Sequence, residues 1–268
     1  MSEHVEDQEQ SQVSGKRALK KKRGIYLLPN LFTTGGLFAG FYAIIGATNQ
    51  KFELACVAIF VAMIMDMLDG RVARMTNTQS AFGAEYDSMS DMVSFGIAPA
   101  LIAYNFGLQS LGKIGWLAAF VYAVGGALRL ARFNTQVQSA DKNYFQGLAS
   151  PAAAAIIASY VWVLFEAGVE PTTLSFLTAI LTIGSGILMV SNVRYHSFKG
   201  LDLKGKVPFF VLLVIVATFV LVAYDPPKIL FVIFVAYALS GPVYTFYRRK
   251  QVKAERIDKV DNKDEIEE

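Results

Sequence analysis

The chain has 268 residues, 54% of them hydrophobic, with a mean hydropathy of +0.40 and a net charge of only +3. That apolar share exceeds what soluble domains carry and recurs in runs of membrane-crossing length, so the chain reads as an all-α, polytopic helical membrane protein. The small net charge says little about partners, no nucleic-acid partner is expected, and the single cysteine, Cys56, excludes an internal disulfide and reads as a packed thiol.

Met1 to Ser14 are acidic and polar without periodic apolar positions, which predicts a disordered start. No apolar core precedes the basic run, so no cleavable signal peptide is expected. The run comprises Lys16, Arg17, Lys20, Lys21, Lys22 and Arg23. Such a cluster attracts anionic headgroups by about 1 kcal/mol per residue near the surface, or simply fixes orientation.

Eight spans are predicted, each near the ~20 residues that a ~30 Å hydrocarbon layer requires. They are Leu27 to Thr48, Phe52 to Arg74, Glu85 to Gly107, Lys113 to Phe133, Ser150 to Gly168, Thr172 to Asn192, Val207 to Tyr224 and Lys228 to Tyr247. On one side, the links Asn49 to Lys51, Leu108 to Gly112, Val169 to Pro171 and Asp225 to Pro227 have only Lys51, Lys113 and Lys228 near them. The other side collects the N-terminal run, Arg71, Arg74, Arg129, Arg132, Lys142, Arg194, Lys199, Lys204, Lys206 and the tail bases Arg248, Arg249, Lys250, Lys253 and Arg256. That asymmetry predicts a multi-pass protein of the cell (inner) membrane with both termini cytosolic.

Gly35, Gly36 and Gly40 in the first span and Gly184 and Gly186 in the sixth predict close helix approach. Pro99 predicts a bend in the third. Ala152 to Ala155 offer a smooth face for packing or for an acyl chain, and Ile257 to Glu268 mix acids and bases as a solvated end does.

One stretch breaks the apolar pattern: Asp66-Met-Leu-Asp-Gly-Arg-Val-Ala-Arg, continuing to Gly83, Asp87 and Asp91. Helical spacing puts Asp66 and Asp69 on one face with Gly70, Ala73 and Arg74, and Asp87 with Asp91 on the next helix. A turn around Thr76 to Ser80 would let the two acid pairs face each other and enclose metal ions. Each carboxylate near mid-membrane costs roughly 2.5 to 3.5 kcal/mol on insertion scales, so four need compensation. Oxygen ligands without His or Cys favour Mg2+ or Mn2+ over Zn2+, and four carboxylates suit two such ions. The competing readings are polar residues around a water cavity and an ion path through a divalent-cation carrier.

The spacing Asp-x2-Asp-Gly-x2-Ala-Arg-x8-Gly-x3-Asp-x3-Asp, with Asp66, Asp69, Gly70, Ala73, Arg74, Gly83, Asp87 and Asp91 at its fixed positions, resembles the signature of the CDP-alcohol phosphotransferases. These membrane enzymes make phospholipids from CDP-activated lipids. Ser94 to Ala100, Ala127 to Asn134, Phe145 to Pro151, and Ser191 to Tyr195 with Ser197 to Lys199 further resemble the membrane-embedded phosphatidylserine synthases. The likeness covers about Leu28 to Lys206 and departs at Ala149, where proline is expected.

The resemblance implies the CDP-alcohol phosphotransferase fold in a six-helix catalytic domain over residues 25–206, after a cytosolic segment 1–24 and before two further helices in 207–247 and a charged tail 248–268. It implies transfer of the phosphatidyl group of CDP-diacylglycerol to L-serine, with CMP released at a cytosolic active site. Asp66, Asp69, Asp87 and Asp91 would hold two Mg2+ or Mn2+ ions, with Asp91 also the candidate catalytic base. Asn30, Thr33, Asp69, Gly70, Arg74, Ser80 and Gly83 would contact the CDP-lipid. Gly70 and Gly83 allow backbone approach or serve helix packing, and Arg74 forks a phosphate or anchors topology. Serine carries a carboxylate, so Arg129, Arg132 or Arg194 would contact that group or a phosphate, or be topological charges; His196 reads as structural. Membrane lipids and a homodimer partner complete the expectation. A sibling transferase acting on glycerol 3-phosphate, inositol phosphate or choline stays open at this point.

Overall fold

The computed structural model describes residues 28–136, 144–196 and 209–267. The basic run Lys16 to Arg23, Lys142, the stretch Ser197 to Lys199 and the bases up to Lys206 lie outside the described residues, as does the side chain of His196. Within them run α1 (Leu28–Thr48), α2 (Phe52–Thr76), α3 (Ala81–Asp91), α4 (Ala98–Phe106), α5 (Lys113–Gln136), α6 (Ser150–Glu166), α7 (Ser175–Val190), α8 (Phe209–Tyr224) and α9 (Pro226–Glu267). A π-helical turn, Met92–Ile97, joins α3 to α4, and strands β1 (Tyr144–Gln146) and β2 (Arg194–His196) pair antiparallel with Phe145 opposite Tyr195.

Three segments are long and apolar enough to cross a membrane: α1, Lys113–Thr135 of α5, and Pro226–Phe246 of α9. Ser150–Glu166, Ser175–Val190 and Val211–Tyr224 are shorter apolar helices. The chain is therefore a helical membrane protein, with large apolar side chains such as Phe38, Trp116, Phe176 and Phe219 facing outward.

The centre of the bundle is α6, apolar around most of its circumference. Ala152 to Ala155 are all buried, so the smooth face predicted there serves packing. Cys56 is buried too, in the cluster that joins α1, α2, α4 and α6. Where backbones meet, the small residues are the reason. A Cβ on Gly40 would collide with Ser94, and one on Gly125 would lie 2.5 Å from the Gly186 carbonyl oxygen. Gly184, also predicted to permit close approach, has nothing within 4 Å of its would-be Cβ, because it faces away from the α5 contact that Gly186 makes.

Local chemistry sets the path around the acid residues. Asn77, a residue type that tolerates the left-handed region, ends α2 at φ 52°, and the Thr78 N–H closes the helix onto Ala73 O at 3.0 Å. Ser80 then caps α3 by accepting from the Gly83 N–H at 3.0 Å. Further along, Pro99 has no N–H to give, and the chain takes the wide turn just before it, the Ala98 N–H reaching Val93 O. The Phe95 carbonyl in that turn accepts the Tyr122 hydroxyl at 3.1 Å. Pro99 is thus accommodated by a change of helix type ahead of it.

The tail corrects an expectation. α9 continues through the mixed-charge segment to Glu267, where a solvated, non-helical end was predicted. Residues 248–267 are rich in good helix formers and lack Gly and Pro, with Glu255 four residues before Lys259.

The glycine contacts give a direct check. Gly125→Ala should destabilise the purified protein by about 1 to 3 kcal/mol through overpacking. Gly184→Ala should stay within about 1 kcal/mol of wild type, on the stabilising side. Fluorescence-detected thermal unfolding of both variants in detergent measures the difference.

Candidate active site

The reversal at Asn77 to Ser80 returns the chain so that the acids of α3 meet those of α2. One carboxylate oxygen each from Asp66, Asp69 and Asp87 lie within 4.8 Å of one another. Asp69 is only 5% exposed, and Asp66 and Asp87 are half-buried. Asp91 stands against Asp66, and Asp87 against Asp69. All four line one narrow cleft of about 160 Å³ with Thr33, Ser90 and Ser94.

Helix α1 supplies the polar groups that hold this arrangement. The Thr33 hydroxyl donates to Asp69 Oδ2 at 2.7 Å. Ser90 and Ser94 hydroxyls donate to the carbonyls of Thr33 and Gly36, each at 3.1 Å, tying α1 to the segment that carries Asp87 and Asp91. Thr34 and Tyr86 hydroxyls pair at 2.9 Å on the outer side.

Cations are near but do not neutralise the acids directly. Arg74 lies within Coulombic range of Asp69, and Arg129 within range of Asp66 and Asp91. Among the described residues the ion pair within 4.0 Å is Asp225–Lys228, at 2.6 Å, far along the chain between α8 and α9. The four carboxylates therefore keep an excess of negative charge in a half-buried cleft. An all-oxygen donor set of this kind fits hard divalent cations such as Mg2+ or Mn2+.

Beside the cleft opens a second cavity of about 300 Å³. Asn30, Thr33, Asp69, Gly70, Arg74, Ser80 and Gly83, the residues singled out for a CDP-lipid, all line it, together with Asp87. A Cβ on Gly70 would meet Arg74 Nη1 at 3.5 Å, and one on Gly83 would meet Ser80 Oγ at 3.1 Å and Asn30 Oδ1 at 3.5 Å. Both glycines thus neighbour polar side-chain ends of the cavity and not a packed helix backbone. The same wall includes Pro29, Thr78, Gln79 and Ala84, which spacing arguments passed over. Thr78 and Gln79 sit in the turn between the two halves of the aspartate pattern, and that position was the available signal.

The three arginines considered for a carboxylate do not converge. Arg129 Nη1 donates to Ser150 Oγ at 2.8 Å, and its Nε is buried without a hydrogen-bond partner among the described residues. Arg132 Nη1 donates to Asn192 Oδ1 at 3.3 Å. Arg194 is exposed on β2, where its backbone N–H donates to Thr245 Oγ1.

A family model described as CDP-alcohol phosphatidyltransferase matches residues 26–191. A CDP-diacylglycerol--serine O-phosphatidyltransferase of Helicobacter pylori is 40% identical over 203 residues, spanning 74% of this chain and 83% of that protein. Proteins of the same name from Mycobacterium tuberculosis and Bacillus subtilis are 32% identical over 229 residues and 34% identical over 172 residues. These alignments span 82% and 64% of this chain and 79% and 91% of the respective relatives.

The Thr33 contact yields a measurable consequence. Thr33→Val keeps the shape of the side chain and removes the donor to Asp69, and should weaken Mn2+ binding roughly ten-fold, as loss of a group that orients a metal ligand does. Titration calorimetry with Mn2+ on the purified variant measures it.

Proposed function

Because the chain belongs to the CDP-alcohol phosphatidyltransferase family, we propose that it transfers the phosphatidyl group of CDP-diacylglycerol to the hydroxyl of L-serine, giving phosphatidylserine and CMP. The observation that carries this reading is the half-buried oxygen cluster of Asp66, Asp69 and Asp87 opening onto a cavity lined by Asn30, Gly70, Arg74, Ser80 and Gly83. Resemblance to serine enzymes from three bacterial genera supports serine as acceptor.

Asp66, Asp69, Asp87 and Asp91 hold two Mg2+ or Mn2+ ions in this scheme. When bound, such ions neutralise the pyrophosphate and stabilise the departing phosphate oxygen. Thr33 keeps Asp69 turned toward the cleft, and Arg74 forks a phosphate oxygen from the cavity wall. Gly70 lets the pyrophosphate approach the α2 backbone, while Asn30, Ser80 and Gly83 face the nucleoside. Serine enters beside Asp91, its carboxylate met by Arg129, whose unpartnered Nε–H lies on that side of the acids. Arg132 and Arg194, held by or near other groups, serve a phosphate or the topology. The serine oxygen attacks the phosphatidyl phosphorus, the P–O bond to CMP breaks, and the proton passes to Asp91. An alcohol is barely ionised at neutral pH, so a base at that point contributes substantially.

The excess of Lys and Arg on one side of the spans supports an eight-span protein of the cell (inner) membrane with both termini and the active site cytosolic. Residues 25–206 form the catalytic unit, 207–247 add two helices, and 1–24 and 248–268 are the cytosolic ends. The working form is a homodimer, as in the family.

Purified protein with CDP-diacylglycerol and Mn2+ or Mg2+ should release CMP when L-serine is added. Release dependent on glycerol 3-phosphate or inositol in place of serine would overturn the acceptor. Asp91→Asn should lower turnover by about 10² to 10⁴, the range for loss of a general base, while retaining lipid binding. Undiminished CMP release by that variant would remove Asp91 as base.

A further inference from the structure

Helix α9 begins at Pro226, well outside the 26–191 segment that the family model matches. It is nevertheless tied to that segment by specific contacts. The Tyr195 ring, fully buried, presses on Gly241, where a Cβ would collide with ring carbons. The Tyr195 hydroxyl donates to Ala238 O at 2.9 Å, and the Arg194 N–H donates to Thr245 Oγ1 at 3.1 Å. These contacts set the rotation of α9 about its axis. Tyr237, adjacent to Ala238, thereby turns inward, its ring centroid 5.5 Å from that of Tyr195 and its side chain packed on the cluster that contains Leu148 and Ala149.

The next residue in that chain, Ser150, is the partner of Arg129 Nη1. The Tyr237 phenol lies within Coulombic range of the same guanidinium. Arg129 is thus bordered by Ser150 of α6 and Tyr237 of α9 on one side and by Asp66 and Asp91 on the other. A guanidinium has five donors in a rigid fork, and in half-buried surroundings its direction is decided by the groups that border it.

We propose that Tyr237 is a positioning residue for serine binding: together with Ser150 it aims Arg129 at the acceptor side of the Asp66–Asp91 pair, which makes α9 a working part of the acceptor site. This rests on the assignment of Arg129 to the serine carboxylate made above. The contribution is selective, because Tyr237 lies on the Arg129 side of the acids and is absent from the wall of the cavity that takes the nucleotide.

The test is steady-state kinetics of the full-length protein in detergent with CDP-diacylglycerol, L-serine and Mn2+. Tyr237→Phe removes the hydroxyl and keeps the ring that packs on Tyr195. It should raise the serine KM about five-fold, the effect of losing one ordinary polar contact, with the CDP-diacylglycerol KM and kcat at saturating serine unchanged. Arg129→Lys should raise the serine KM further, and the double variant should be no worse than Arg129→Lys alone, since both act through one guanidinium. An unchanged serine KM in Tyr237→Phe beside a raised one in Arg129→Lys would overturn the role of Tyr237 and leave that of Arg129 standing. Multiplying effects in the double variant would overturn it too. If Arg129→Lys itself leaves the serine KM unchanged, the carboxylate assignment falls first and the positioning role falls with it.

Discussion

Four carboxylates facing one another inside an apolar helical bundle, without a direct ion pair, are the constraint to which the remaining structure answers. Like charges at this separation, in a cleft with little water, repel strongly enough to separate the helices that carry them. The bundle holds them with two distant arginines and a set of neutral donors. Thr33 gives its proton to Asp69, and Ser90 and Ser94 give theirs to α1 carbonyls, so α1 is bound to the acids and to the helix behind them together. The leftover negative charge is what makes the place attractive to divalent cations and, through them, to a pyrophosphate.

Rigidity around this cleft comes from close backbone contact. Gly40 lets α1 lie against Ser94, three residues past Asp91, and the alanines of α6 let the central helix touch its neighbours along its length. Small residues matter more here than in water, because lipid tails are as apolar as Leu side chains and give no hydrophobic reason for helices to meet. The α5–α7 contact through Gly125 and Gly186 carries the same logic toward the end that holds Arg129 and Arg132.

The acid cluster was legible in the sequence because helix periodicity alone places Asp66 with Asp69 and Asp87 with Asp91, and because Asn77 to Ser80 carry the residue types that end one helix and cap the next. The cavity wall was legible through likeness to a family, residue by residue from Asn30 to Gly83. What spacing could not carry were contacts made across long separations. Thr33 finds Asp69 36 residues away, and Arg129 finds Ser150 across 21 residues that include a strand. Three arginines with the same composition-level claim on a carboxylate turn out to meet three different neighbours, since facing depends on how α5, β2 and α9 are rotated. Gly184 and Gly186, two apart, point to different surroundings for the same reason. The helical tail after Phe246 was hidden by its charge, which lowers hydropathy without lowering helix propensity.

The wide turn at Met92–Ile97 has a consequence for how the third membrane element is read. Each π-type bond spans one residue more than an α-type bond, so side chains beyond the turn fall out of phase with those before it. The acid-bearing upper half and the buried lower half, Ala98–Phe106, are therefore aimed separately, like two cranks keyed to one shaft at different angles. A helical wheel drawn straight through Asp87 to Phe106 assigns the lower residues to the wrong side. The carbonyl of Phe95, released from its usual duty in the ladder, is what lets α5 grip the joint.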